Sequence, residues 1–292
     1  MIQQDQQDSP THGPAEEFDY ESKTWGAHEV RLAPTFLGAM RLKYCLEDLQ
    51  DVSGKVLEVG CGAGGMARAI KAYRPDLELY GCDVSRRALA AAQQKPGGVK
   101  FDYGDAFDLP YDPGSFSAVV MFDVLEHLDE PSASTAEIHR VLENEGLFHL
   151  FVPCEGELHT LHGLLAKVGW RAKEHYGGHI QGFTMPALKE LLRSSGFQVT
   201  TTRWSAHLVN QLADVAYFTG LSARGSNTAR SIEGFLEESN DSLFRSLVSA
   251  AKTAIAAASF YESTLLEAIP GSGAHLVGLK NGAVNSATGG TE

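Results

Sequence analysis

The run Val56-Leu57-Glu58-Val59-Gly60-Cys61-Gly62-Ala63-Gly64-Gly65 constrains the chain more than any other segment. Lys55 to Val59 is short, rich in β-branched residues and apolar enough to be a buried parallel strand. It delivers a glycine-rich turn that opens a stretch of helical composition, Met66 to Tyr73. Glycines lack Cβ, so the backbone there can approach a ligand closely, and the helix N-terminus that follows favours negative charge. Gly60, Gly62 and Gly65 also satisfy G-x-G-x-x-G, a fingerprint that several nucleotide-type cofactors share.

The pattern that follows alternates. Leu77–Cys82 is a second strand, and Ser85 can cap the helix that carries Ala88 to Ala92. Val99–Tyr103 is a third strand, Phe116–Phe122 a strongly apolar fourth and Leu147–Val152 a fifth, with Ala133–Leu142 helical before it. After Pro153, Leu158–Trp170 reads as a helix and Glu174–His179 as a loop rich in Gly and His. Thr184 caps a further helix with Pro186 in its first turn, ending at Gly196. Gln198–Trp204 and Ala274–Lys280 are the sixth and seventh strands. The expectation is an α/β fold: a Rossmann-like, doubly wound, mostly parallel seven-stranded sheet. Residues 206–273 are expected to be a helical insertion before the last strand, a lid or a dimer interface, with the core in 18–205 and 274–280. Residues 1–17 and 281–292 are polar and are expected to be mobile tails.

Three features separate the cofactor options. The turn has the form E-x-G-x-G-x-G through Glu58, Gly60, Gly62 and Gly64. Asp83 ends the second strand about 20 residues on, where an acid accepts both ribose hydroxyls, which alone fits NAD as well. Gly104-Asp105-Ala106 follows the third strand, with Leu109-Pro110 soon after. Together these resemble the class I S-adenosylmethionine (SAM)-dependent methyltransferases. Ser117 to Leu128 is similar to the D-x-V-x-x-x-x-V-L-E-H-L segment of the ubiquinone- and menaquinone-methylase-like branch (methyltransferase type 11), with Ser117 in place of the leading Asp. The Asn/Asp-Pro-Pro-Tyr signature of many amino-methylases of nucleic acids and glutamine is absent from the sequence. The resemblance covers about residues 50 to 200.

It implies SAM as cofactor, held by Glu58, Gly60, Cys61, Gly62, Gly64, Asp83, Val84, Asp105, Ala106 and Asp123, with Asp105 at the adenine amino group. Glu58 either orients the loop by accepting backbone N–H bonds or reaches the methionine amino group through water. His127, just past the fourth strand, is either a supporting residue or a catalytic base. His179, flanked with His175 around two glycines, is a lid residue or a substrate contact. Tyr20 and Trp25 either cover the cofactor or pack in the core. No histidine–carboxylate spacing matches a metal motif, so metal-independent activity is expected. The reaction implied is in-line attack of a small-molecule acceptor on the sulfonium methyl. A nicotinamide-dependent oxidoreductase and a non-catalytic SAM-binding protein are the competing readings; the first leaves Asp105 and Glu126-His127 unexplained.

Charge narrows the acceptor. The formal net charge is −13, which repels phosphate and disfavours nucleic acid as partner. No secretory leader is apparent and the cysteines, Cys45, Cys61, Cys82 and Cys154, form no close pair, so a cytoplasmic location with reduced thiols is expected. Leu243 to Ile269 is alanine-rich, but Arg245, Lys252 and Glu262 interrupt it, so stable membrane insertion is not expected. A homodimer is the alternative use for the apolar residues of 206–273, among them Leu208, Leu212, Val215, Tyr217, Phe218, Phe235, Phe244 and Phe260.

Overall fold

The computed structural model describes residues 29–223 and 242–281. The strands are β1 (Lys55–Val59), β2 (Glu78–Asp83), β3 (Val99–Tyr103), β4 (Phe116–Phe122), β5 (Leu142–Pro153), β6 (Phe197–Ser205) and β7 (Gly273–Lys280). They form one seven-stranded sheet in the order β3-β2-β1-β4-β5-β7-β6. The β1, β2, β3, β4 and β5 pairs are parallel, and β7 runs antiparallel to both β5 and β6. The expected architecture is therefore present, with β1, β3 and β4 at the bounds read from the sequence.

Both faces of the central strands are covered, which is why they are continuously apolar. On β1 and β4, Val56, Ala118, Val120 and Phe122 enter one core with Leu42 and Cys45 of helix α1 (Ala39–Asp48), Leu49 at its C-terminal cap, and Met66 and Ile70 of α2 (Gly65–Tyr73). The alternate residues Leu57, Val59, Val119 and Met121 enter a second core with Ile138 of α4 (Pro131–Val141) and Leu188 and Leu192 of α7 (Met185–Ser194). The strand period of two thus sorts neighbouring residues into opposite cores. Each such large side chain contributes about 1.5–3 kcal/mol when fully buried.

Local signals set the helix starts. Ser85 accepts the Ala88 N–H to cap α3 (Arg86–Gln93), and Thr184 accepts the Ala187 N–H to cap α7. Ser117 donates to the carbonyls of Ser53 and Lys55, so the hydroxyl pins the start of β4 to β1.

Two expectations after Pro153 are corrected. The helix read over Leu158–Trp170 is only Leu161–Lys167 (α5), because the Thr160 side chain accepts the Gly163 N–H and fixes a later start. The Glu174–His179 loop is largely a short helix, Ala172–Gly177 (α6), which Gly178 ends in the left-handed conformation at φ 73°. The α1 helix was not among the sequence-based expectations. Between β6 and β7, α8 (Leu208–Ala223) and α9 (Ser242–Leu265) are helical as expected. Helix α8 packs on α5, α6 and α9. Tyr20, Trp25, Phe235 and both expected tails, apart from Asn281, lie outside the described residues, and the Phe244 side chain is not described.

Candidate functional site

Chain direction across the sheet reverses between β1 and β4: β1 leads outward to β2 and β3, while β4 leads to β5. A crevice at the carboxyl ends of the strands on either side of such a switch point is the usual ligand position in an open α/β sheet. Here it falls between the glycine turn after β1 and the Asp123-Val124 segment after β4.

The β1 side is shaped by backbone. Gly60, Gly62 and Gly64 have φ of 73°, 51° and 73°, the left-handed region. A Cβ on Gly60 would lie 2.2 Å from Val124 Cγ2, and one on Gly64 would lie 2.5 Å from the Phe101 ring. The Gly60 and Cys61 N–H groups both donate to the Cys82 carbonyl, at 2.9 and 3.0 Å. Asp83 accepts from the Gly62 N–H at 2.7 Å through one oxygen and from the Ser85 N–H at 2.8 Å through the other. Its carboxylate therefore ties the glycine turn to the start of α3.

Glu58 is buried beneath this turn and accepts the Ala67 N–H in the first turn of α2. Burial pushes its carboxyl up to about 8, with Asp83 adding to the rise and the Ala67 N–H and Arg68 opposing it. Of the two roles left open for Glu58, orienting the loop is the one with a contact. Cys61 is buried, and burial pushes its thiol up. Beyond the turn, Val84, Tyr103 and Phe107 are 45%, 46% and 40% exposed, an apolar edge at the ends of β2 and β3. Asp105 is exposed beside them; its Oδ1 accepts the Phe107 N–H at 3.0 Å, so it also shapes its own turn. Ala106 packs against the core.

The β4 side is built from charge. Asp123 has a left-handed φ of 51° and accepts from Arg41 of α1 at 2.9 Å. The Arg41 guanidinium lies 4.2 Å from the Phe151 ring centroid. Next, Leu125–His127 forms a single 3-10 turn. Glu126 on it is fully buried, and neither carboxylate oxygen makes a hydrogen bond. Burial, with Asp123 and Glu155 nearby, holds its carboxyl well above the usual range.

His127 Nδ1 lies 2.8 Å from the Gly178 carbonyl, an acceptor, so Nδ1 carries the proton. Burial and the adjacent His179 push His127 down to about 4, leaving it neutral. The two rings meet edge-on with centroids 4.9 Å apart. Both the Ile180 and Gln181 N–H groups donate to the Glu126 carbonyl, which docks the His179 segment onto the 3-10 turn. His175 is exposed on α6, where its ring meets Tyr176 edge-on.

A line of buried charge continues outward. His179 Nδ1 is 3.1 Å from Glu155 Oε1, Lys173 Nζ is 2.6 Å from the same oxygen, and Lys173 is 2.8 Å from Asp214 of α8. His162 of α5 is 3.8 Å from Asp214. Burial opposes the charge on Glu155, but Lys173 and His179 outweigh it and hold the carboxyl well below its usual range. Lys173 is raised in turn by Asp214 and Glu155 despite its own burial. Sequence reasoning did not single out Arg41, Glu155, His162, Lys173 or Asp214; they come from five separate segments with no shared local motif.

Glu126, His127 and His179 offer ligand atoms all within 4.8 Å of one another. The expectation of metal independence rested on linear spacing. The fold also brings His179 from a distant segment onto Glu126-His127, a meeting that linear spacing does not show.

Known methyltransferases resemble this chain in sequence and in fold. Residues 57–150, from β1 into β5, match the methyltransferase domain family. The chain is 32% identical over 124 residues to ajmaline N-methyltransferase of Rauvolfia serpentina, covering 40% of this chain and 42% of that protein. It is 26% identical over 162 residues to demethylmenaquinone methyltransferase of Thermotoga maritima, covering 50% of this chain and 71% of that one. The solved structure of Haemonchus contortus phosphoethanolamine N-methyltransferase 2 with SAM has the same fold, at a TM-score of 0.52 and 17% identity, over 83% of this chain and 52% of that one. Residues 57–150 thus resemble a methyltransferase domain, while the chain spans only 42% of the length of ajmaline N-methyltransferase; methyl transfer from SAM is better supported than an oxidoreductase or a non-catalytic SAM binder.

Proposed function

We propose that the chain methylates a small organic acceptor held between the β4–β5 strand ends and the α5, α6 and α8 helices. The observation that carries this is the division of the crevice: a glycine turn and exposed apolar edge on one side, an enclosed polar cluster on the other. The first side fits SAM. The turn is held open in a left-handed backbone, Asp83 stands at the end of β2 for a ribose, and Val84, Tyr103 and Phe107 offer apolar surface beside Asp105 for an adenine. Gly60, Cys61, Gly62, Gly64, Ala106 and Asp123 complete the cofactor side, and Glu58 supports it from below. Bound SAM supplies a methyl group already activated by its sulfonium, so the protein's task is alignment and exclusion of water. Glu126, His127 and His179 face the acceptor, and neutral His127 is able to take a proton from it.

The α8 and α9 helices act as the lid of the acceptor chamber in this reading. Support comes from Asp214, which joins the buried charge line through Lys173, and from Gln211, which accepts the Leu161 N–H at 2.7 Å. Leu208, Leu212, Leu247, Tyr261 and Leu265 remain exposed, so a dimer interface on the outer face is the second reading. A cytoplasmic location is supported by the four cysteines, all free and buried. Among the described residues, no helix is long and apolar enough to cross a membrane.

The test is calorimetry with SAM and S-adenosylhomocysteine, followed by labelled methyl transfer into a metabolite extract. Asp83→Ala is expected to weaken cofactor binding by about 1–3 kcal/mol, the scale of lost hydrogen bonds to a charged group. Unchanged affinity removes Asp83 from the site, and label found only in macromolecules defeats the small-molecule reading.

A further inference from the structure

Among the described residues, Glu126 is a buried carboxyl that the fold leaves unexplained. It is fully buried, and neither oxygen has a hydrogen-bond partner. A buried carboxyl in that condition is costly unless something else satisfies it. Two imidazoles stand beside it: His127 Nε2 is 3.9 Å from Glu126 Oε1, and ligand atoms of Glu126, His127 and His179 lie within 4.8 Å of one another.

One ring carries the support that metal-bound histidines need, and the other has a carboxylate beside it. A hydrogen bond from one ring nitrogen to a carbonyl or carboxylate fixes tautomer and orientation. His127 has it with the Gly178 carbonyl at 2.8 Å, and His179 Nδ1 lies 3.1 Å from Glu155. Two imidazoles and one carboxylate suit divalent first-row transition ions; magnesium and calcium prefer oxygen donors throughout. Three protein ligands also leave coordination positions open. Zinc bonds of about 2.0–2.1 Å set tetrahedral ligands roughly 3.3 Å apart, so side-chain rotation must draw the three groups inward. Asp123 and Glu155 both act electrostatically on Glu126, adding negative potential where a cation would sit, with Lys173 opposing them.

We propose that Glu126, His127 and His179 bind one divalent transition-metal ion of zinc-like preference, whose open positions take the hydroxyl or enol oxygen of the acceptor. The bound cation lowers the pKa of that oxygen, so its O–H bond breaks, the proton leaves to solvent and the oxygen stays as a metal-held anion. This acceptor role rests on the methyl-transfer reading; the metal site does not. Glu155 is a positioning residue that acts through His179.

The experiment uses the full chain, tag-free, with metal content measured by mass spectrometry. The chelator-stripped protein is then titrated with zinc, manganese and magnesium by calorimetry, and cobalt(II) absorption spectra report imidazole coordination. S-adenosylhomocysteine binding and thermal unfolding are followed in parallel. The expected result is one zinc equivalent with no competition from magnesium, lost in Glu126→Gln and His179→Ala while S-adenosylhomocysteine still binds. Glu155→Gln should weaken zinc by about 10–100-fold, the usual effect of removing a supporting partner. Absence of saturable zinc binding, equal binding by His179→Ala, or preference for magnesium overturns the proposal. Should the ligand variants fail to fold, the cobalt spectrum of the wild type and the Glu155→Gln titration decide it. Zinc binding with no S-adenosylhomocysteine binding sinks the cofactor reading and leaves the metal site standing.

Discussion

Glu58 is buried and Glu155 largely so, two glutamates on either side of one crevice, and their surroundings push them in opposite directions. Glu58 lies under the glycine turn with a single backbone N–H for company, and burial raises its carboxyl to about 8. Glu155 lies between Lys173 and His179, which hold it well below the usual range. The difference reflects how the two halves are made. The β1–β3 side is local: consecutive residues, left-handed glycines and backbone hydrogen bonds set its shape. The β4–β5 side is assembled by charge from α5, α6, α8 and two strand ends, and holds only while all of them are docked.

The largest expected effect tests the second half. Lys173→Met strands Glu155 and Asp214 without their cation, and breaking a buried pair in this way costs about 3–5 kcal/mol. Urea unfolding measures it, and a loss below about 1 kcal/mol would mean the charge line is solvent-screened like a surface pair. Adding Glu155→Gln to Lys173→Met should restore part of the loss, because one stranded charge is removed.

Next comes the first half. Gly60→Ala adds a Cβ that would lie 2.2 Å from Val124 at a φ of 73°. Left-handed strain and overpacking together predict a loss of about 2–4 kcal/mol. A stable variant that still binds S-adenosylhomocysteine normally breaks the idea that backbone shape governs this side.

The effect that is smallest per pH unit separates the two glutamates by pH. The Glu58 pKa is raised from 4.5 to about 8, so between those values the folded chain binds more protons than the unfolded one. Stability therefore falls as pH rises through that window, by at most about 1.4 kcal/mol per pH unit for one group. Glu58→Gln should flatten that slope. Glu155 has the opposite sign: its contribution is present above the ordinary carboxylate range and is lost as pH falls, so the windows do not overlap. A Glu58→Gln profile parallel to wild type from pH 5 to 8 would falsify the assignment.

This contrast also explains what the sequence disclosed. β1, β3 and β4 are legible because short apolar runs bounded by glycine and polar residues are local signals, and the Ser85 and Thr184 caps are equally local. The glycine turn, Asp83 and Asp105 follow consecutive strands, so their spacing carries the topology. Helix α1 was missed although Ala39, Leu42 and Cys45 recur at helical spacing and are buried. The Gly177-Gly178 pair was read as a loop when Gly178 is the stop of a helix. Nothing local marks Lys173, Asp214 or His162 as partners, since they meet only after α5, α6 and α8 pack. The meeting of His179 with Glu126 and His127 was hidden for the same reason.

One feature of the sheet bears on how the chain is made. The neighbour of β5 is β7, not β6, and among the described residues β6 pairs with no strand other than β7. During translation β5 is therefore complete at Pro153, while the strand that covers its edge begins at Gly273. At about 5–20 residues per second, the intervening roughly 120 residues take about 6–24 s to emerge. Through that interval the growing chain carries an open strand edge and a β6 with nothing to pair to, and an unpaired edge is the template for association between chains. The seam between β5 and β6 is thus the point at which a nascent molecule is most exposed to its neighbours, and the arrival of one late strand closes both sides of it at once.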